Sequence, residues 1–378
     1  MPRMKLVWLV RSLAGSALVL AGIATSALAA DTHRVRVPMK PAGPAVDAAT
    51  MQRIYDEVKT PFKYGVVLRG EQKEYVDCPS VFRHGTAWYM VFIAFDGSGY
   101  ETRLAQSPDL LHWKALGPIL KRGSGGWDQE QAAGGLAMVD YRWDGTWELG
   151  QHDGKYWLSY LGGTLKGYET PPLCVGLAHT TDPAAPREWT RWKDNPILTP
   201  SQPDARPFER DTLFKTHILR DPAQTLGFPF VMFYNARQQG PGIERIGMAV
   251  SRDLVQWQRY GDGAVIENGD PSGISGDPQI VKLGDTWVMF YFGAFWKPGA
   301  FDTFACSKDL VRWTKWQGPD LIAPSEPWDK EYAHKPWVVR HAGVVYHFYC
   351  AVGDQGRVIA VATSKDLRAG GTKETTAK

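Results

Sequence analysis

The sequence predicts an all-β fold, a five-bladed β-propeller preceded by a short helical extension. Three observations carry that expectation. First, the phrase Ser-x-Asp-Leu-x-x-Trp recurs at residues 107–113, 251–257 and 307–313, with a looser copy from Thr181 to Trp189 and a truncated one at 364–367. Five copies imply five units. Second, each phrase lies beside strand-like runs, and its Asp suits a turn because the carboxylate bonds nearby backbone N–H groups. Third, each unit carries an upstream run rich in β-branched and aromatic residues, such as Trp88-Tyr-Met-Val-Phe and Trp287-Val-Met-Phe-Tyr. Four short strands per unit, repeated five times, make a propeller.

The elements follow in chain order. Residues 1–29 read as a secretory signal peptide: Arg3, Lys5 and Arg11 precede an apolar run from 13 to 24, and Ala27-Leu28-Ala29 offers a small-residue cleavage site. The run is too short to span a bilayer comfortably. The expected protein is periplasmic or secreted, with no membrane partner after cleavage. Residues 30–62 form an extension with one helix over 47–59, capped by Asp47 and carrying an apolar stripe of Met51, Ile54, Tyr55 and Val58. The propeller occupies 63–368. Its fifth unit ends before an outer strand, and the segment 64–69 resembles the missing one, so the N-terminus is expected to close the ring. The polar tail, 369–378, is expected to be disordered. With 43 basic and 40 acidic residues the net charge is +3, which gives no support to nucleic acid as a partner. Cys78, Cys174, Cys306 and Cys350 lack metal-type spacing and are read as buried thiols or disulfides.

The first strand of each propeller blade lines the central channel. Aligning the units brings Asp77, Glu148, Asp211, Asp277 and His334 to one channel mouth as candidate catalytic residues. Charges gathered there repel, so they must be solvated, paired or used. The loops between second and third strands open on the same face and carry Glu101, Glu169, Glu244, Asp302 and Arg357. The acids of this ring, with Arg210 and Lys335, are candidates for hydrogen bonding to sugar hydroxyls. Trp296 and Trp328 are candidates for a stacking wall.

These features resemble the five-bladed propeller glycoside hydrolases of families 43 and 62, 32 and 68, and 117. The residues that carry the resemblance are Asp77-Cys-Pro79, Asp277-Pro278, His334-Lys-Pro336 and the five blade phrases. The resemblance implies an exo-acting, inverting hydrolase of plant or algal cell-wall oligosaccharides with arabinofuranoside-, xyloside- or anhydrogalactoside-type ends. It makes Asp77 the general base, with Asp211, Glu148, Asp277 or His334 as the acid. No cofactor is required, although a channel His in some family-43 members helps hold a metal, which gives His334 a second role beside a structural Ca2+. Two other readings compete. A non-catalytic carbohydrate-binding propeller would not need the acids, and a phosphorylase would need a basic phosphate pocket.

Overall fold

The computed structural model describes residues 35–368 except 73, 124, 241 and 269–272. The expected signal peptide and the tail from 369 lie outside the described residues. The first element is helix α1, Ala48–Val58. Asp47 caps it, accepting from Thr50 N at 2.8 Å. Met51, Ile54 and Val58 are buried, and Tyr55 stacks on Trp316 with ring centroids 4.9 Å apart. The apolar stripe therefore docks the extension onto the β-structure.

The remaining chain is nearly all β. Strands β1 (Phe62–Leu68), β2 (Tyr75–His84), β3 (Ala87–Phe95), β4 (Tyr100–Ser107) and β5 (Lys114–Leu120) come first. Then come β6 (Gln131–Leu136), β7 (Tyr156–Gly163), β8 (Cys174–Thr180) and β9 (Thr190–Arg191). A third group is β10 (Thr212–Arg220), β11 (Phe230–Arg237), β12 (Glu244–Ser251) and β13 (Trp257–Arg259). The chain continues with β14 (Ile274–Leu283), β15 (Thr286–Ala294), β16 (Ala300–Ser307) and β17 (Thr314–Lys315). It ends with β18 (Tyr332–His341), β19 (Val344–Gly353) and β20 (Gly356–Thr363). Antiparallel pairing runs β2-β3-β4-β5, β6-β7-β8-β9, β10-β11-β12-β13 and β14-β15-β16-β17. The last group is β18-β19-β20-β1, in which Val66 faces Ala360, so the N-terminal strand completes the final unit. Single parallel bridges, Tyr100 to Gln131 and Glu244 to Ile274, join neighbouring units into two eight-stranded sheets. The first strands touch in the order β2, β6, β10, β14, β18 and back to β2.

The recurring phrase is a self-contained turn. Ser107 Oγ accepts from Leu110 N at 2.9 Å, and Asp109 Oδ1 accepts from Leu111 N and His112 N at 3.0 and 2.9 Å. Leu110 sits at φ 72° and is fully buried, and the Trp113 indole donates to its carbonyl at 2.9 Å. Ser307, Asp309, Leu310 and Trp313 repeat these bonds. In the looser copy Thr180, not Thr181, takes the Ser position, accepting from Asp182 N at 3.2 Å. All four cysteines are free thiols.

The second unit departs from expectation. Its first strand is β6, not a strand beginning at Glu148. Residues 137–150 instead form an excursion whose backbone reaches Ile218 of β10, Arg83 of β2 and Lys282 of β14. The Trp147 indole donates to Arg340 O of β18 at 2.8 Å. The excursion thus packs against the C-terminal halves of four first strands.

Candidate active site

The opposite ends of the same strands build the site. In β2, β14 and β18 the ladder skips two residues, between Asp77 and Ser80, Gly276 and Gln279, and His334 and Trp337. The skipped pairs are Cys78-Pro79, Asp277-Pro278 and Lys335-Pro336. Proline has no N–H to give the ladder, so a bulge forms where it falls. The residue before each proline sits at positive φ, 49°, 50° and 64°. That unusual backbone turns Cys78, Asp277 and Lys335 into a common cavity. β10 skips Phe214 and Lys215 without a proline, and both also line it.

The cavity holds about 200 Å3. Three acids meet in it: Glu169 from the β7–β8 loop, Glu244 at the start of β12, and Asp277. Glu244 is 8% exposed and accepts a hydrogen bond from Asn235 Nδ2 at 2.9 Å. Burial first, then the charge of Glu169, pushes its pKa up to about 8. Glu169 is paired with Lys335, its Oε1 lying 3.3 Å from Nζ. Asp277 Oδ2 accepts from the Cys78 thiol at 3.3 Å. Two buried polar atoms on the wall, Asn235 Oδ1 and Tyr100 Oη, have no hydrogen-bond partner in the protein.

Asp77 does not line the cavity. It lies fully buried beside it, with Oδ1 accepting from Cys78 N at 2.8 Å and Oδ2 accepting from Lys335 Nζ and Arg357 Nη1, each at 2.9 Å. Burial alone raises its pKa, but Lys335 and Arg357 outweigh burial and hold the carboxyl well below the usual range. These bonds make Asp77 the anchor of two cations rather than a base facing substrate. His334 lines the cavity, with Nδ1 3.2 Å from Cys350 O. Burial, then Arg357 and Lys335, push its pKa well below the usual value, so it is neutral at pH 7 and has no imidazolium proton to give. Those cations also repel a metal ion. Among the described residues no group of three or more His, Cys, Asp and Glu side chains is arranged to hold one. The metal role does not fit His334.

Other expected residues lie elsewhere. Glu148 is exposed in the excursion and borders a separate depression with Arg220. Asp211 precedes β10 and pairs with Arg237 Nε at 2.6 Å. Glu101 follows Tyr100 in β4, so strand alternation turns it to the other face while Tyr100 takes the wall. Arg210 is exposed after a 3-10 turn, Pro207–Glu209. Trp296 packs on Phe301 and donates to Ile274 O at 3.0 Å; its neighbour Phe295, 60% exposed, lines the cavity instead. Asp302 is buried against His347 Nε2 at 3.0 Å, and Trp328 donates to Tyr349 Oη at 3.2 Å. Neither lines the cavity. Glu169, Glu244 and Lys335 do line it. Tyr100, Tyr168, Lys215 and Asn235 are wall residues that the repeat alignment did not single out.

No family model matches the chain. The structure of a BT0996 complex with RGII is 45% identical with a TM-score of 0.82, covering 85% of this chain and 97% of that one. A second structure, of a glycoside hydrolase, is 42% identical with a TM-score of 0.82, covering 88% and 99%. Structures of families 43, 32 and 117 share the fold at 15%, 11% and 14% identity. Among curated proteins, a 1,2-beta-oligomannan phosphorylase from Thermoanaerobacter sp. (strain X514) is 30% identical over 146 residues, 36% of this chain. That match spans 46% of the relative, a little under half its length. Near-complete coverage at more than 40% identity settles the relationship, and the chain belongs to the family of propeller-type glycoside hydrolases that the first two structures represent.

Proposed function

We propose that the protein is an exported, exo-acting glycoside hydrolase on a five-bladed propeller, releasing the terminal sugar of a cell-wall oligosaccharide of the RGII kind. Glu244 is the general acid and Glu169 the opposing carboxylate. The observation that carries this reading is the pair itself. A buried carboxyl whose pKa is raised to about 8, largely by burial and by Glu169, is protonated at neutral pH and can give its proton to a leaving oxygen. Asn235 Nδ2 occupies Glu244 Oε2, so the proton is carried by Oε1. Lys335 provides Glu169 with a cationic partner. The five strand groupings and the cyclic contact order of their first strands support the propeller. The small cavity supports removal of single terminal residues.

The direct test is hydrolysis of RGII oligosaccharides by the full-length protein, followed by analysis of the released sugars. Release of one terminal monosaccharide that is lost in both Glu244→Gln and Glu169→Gln supports the proposal. Internal cleavage, or undiminished activity in either variant, overturns it. A phosphorylase has one observation in its favour: Lys215, 8% exposed, lines the cavity, and its hydrogen bond is a long one to Pro79 O at 3.3 Å. Lys335 and Arg357 are already spent on carboxylates, which favours water over phosphate as the acceptor. Formation of a sugar 1-phosphate in inorganic phosphate would reverse that preference.

A further inference from the structure

A second cavity of about 460 Å3 adjoins the first. Tyr168 and Arg357 line both, so the two share that wall. The second is framed by Tyr75, Phe95, Glu331 and the β19–β20 turn at Gly353 and Gly356. Its aromatic rings are arranged as a shelf. Tyr75 is 45% exposed and lies nearly parallel to Phe95, with centroids 6.4 Å apart and planes at 21°. Tyr168, 40% exposed, meets the edge of Phe95 at 5.7 Å and is itself covered on one side by Arg357 at 5.2 Å. Exposed rings held in place by other rings carry little entropy cost on binding. Gly356 sits at φ 75°, and a Cβ there would stand 3.7 Å from the Tyr75 ring, so the turn leaves that ring edge open. Glu331 is exposed and adds a carboxylate that accepts from hydroxyls.

An apolar face beside hydrogen-bonding groups is what a pyranose ring matches, because its axial C–H bonds form a hydrophobic patch and its hydroxyls point outward. We infer that this shelf is a second carbohydrate subsite, which holds the leaving-group side of the oligosaccharide while the terminal ring occupies the smaller cavity. The inference rests on the hydrolase reading for the direction of the bound oligosaccharide. At about 460 Å3 the shelf has room for a sugar residue of the leaving group.

Calorimetric titration tests the subsite without relying on turnover. An RGII oligosaccharide, and separately its terminal monosaccharide, are titrated into the full-length protein in the Glu244→Gln background, so that nothing is consumed. Tyr75→Ala should weaken the oligosaccharide by roughly tenfold, the scale of one lost ring contact. It should leave the monosaccharide unchanged, and Tyr75→Phe should restore the affinity. No change for the oligosaccharide, equal loss for both ligands, or no binding of the oligosaccharide to the parent overturns the subsite. Wild-type turnover of the same oligosaccharide is measured alongside. Absence of turnover with the Tyr75 effect intact would remove the hydrolase reading and leave the subsite standing.

Discussion

Replacing Glu244 with Gln tests the acid directly, and its magnitude follows from the site. Raising a carboxyl from 4.5 to about 8 corresponds to roughly 5 kcal/mol against the ionised form. At pH 7 about nine-tenths of Glu244 carries a proton, whereas an ordinary glutamate there would be almost wholly ionised. Loss of a positioned acid costs on the order of a hundredfold to ten-thousandfold in rate. Glu244→Gln keeps size and the acceptor for Asn235 Nδ2, so the fold should survive while kcat/KM on the oligosaccharide falls by at least about a hundredfold. In the wild type kcat/KM should decline as pH rises through about 8, as Glu244 loses its proton. The stability linkage has the same sign. A raised folded pKa favours the native state most below 4.5, and that contribution fades as pH climbs to about 8. Thermal melts and initial rates measured across pH 5–10 give both curves. A flat rate profile between pH 7 and 9 in the wild type, or a Glu244→Gln enzyme within a few-fold of it, would refute the assignment.

The remaining predictions concern the groups around the acid. Asn235→Ala removes a hydrogen bond that favours ionised Glu244, so the alkaline limb should move to higher pH while kcat drops; an unmoved limb would separate Asn235 from the acid. Asp77→Asn leaves Lys335 and Arg357 buried with less compensation, which should cost about 3–5 kcal/mol in denaturant melts. Because the Asp77 pKa is depressed, that stability is present above 3.8 and is lost as pH falls through the lowered pKa, and an unchanged acid melt would count against the anchor. Glu209→Gln breaks a buried network in which Glu209 accepts from Arg206, Arg259 and the Tyr234 hydroxyl. It should destabilise by a similar amount yet leave the activity of the folded fraction intact.

The fold was legible where its chemistry is local. The Ser-x-Asp-Leu-x-x-Trp turn satisfies itself within seven residues, so it can be read anywhere it occurs. The strand that closes the last unit was legible from its resemblance to the segment the fifth unit lacks. β6 was not, because Gln131-Ala-Ala-Gly-Gly-Leu136 has no β-branched residue. Its small residues answer to neighbours: a Cβ on Gly134 would stand 3.0 Å from Thr102 Oγ1. Propensity therefore pointed past β6 to Glu148. At the site, the X-Pro pairs were correctly read as inner-strand features, but a bulge adds a residue that no pattern of alternation anticipates. His334 is the register counterpart of Asp77, and Asp277 is the counterpart of Cys78 and Lys335. The loop ring was legible as a ring of charge. Only register separates Glu244, first in its strand, from Glu101, second in its own, because one residue reverses the face.

The same register explains how a site rich in cations keeps a protonated acid. Free lysine or arginine beside Glu244 would stabilise its anion and pull its pKa down. The bulges prevent this by setting Asp77 one position behind the wall, where it accepts from both Lys335 and Arg357. Lys335 then reaches forward only as far as Glu169, whose charge it steadies without touching Glu244. Glu244 is left with a neutral amide as its hydrogen-bond partner and with Glu169 as the strongest of the charges that raise its pKa. A carboxylate buried behind the cavity wall thus absorbs the positive charge of Lys335 and Arg357, and the raised pKa of Glu244 survives in a cavity that both cations line.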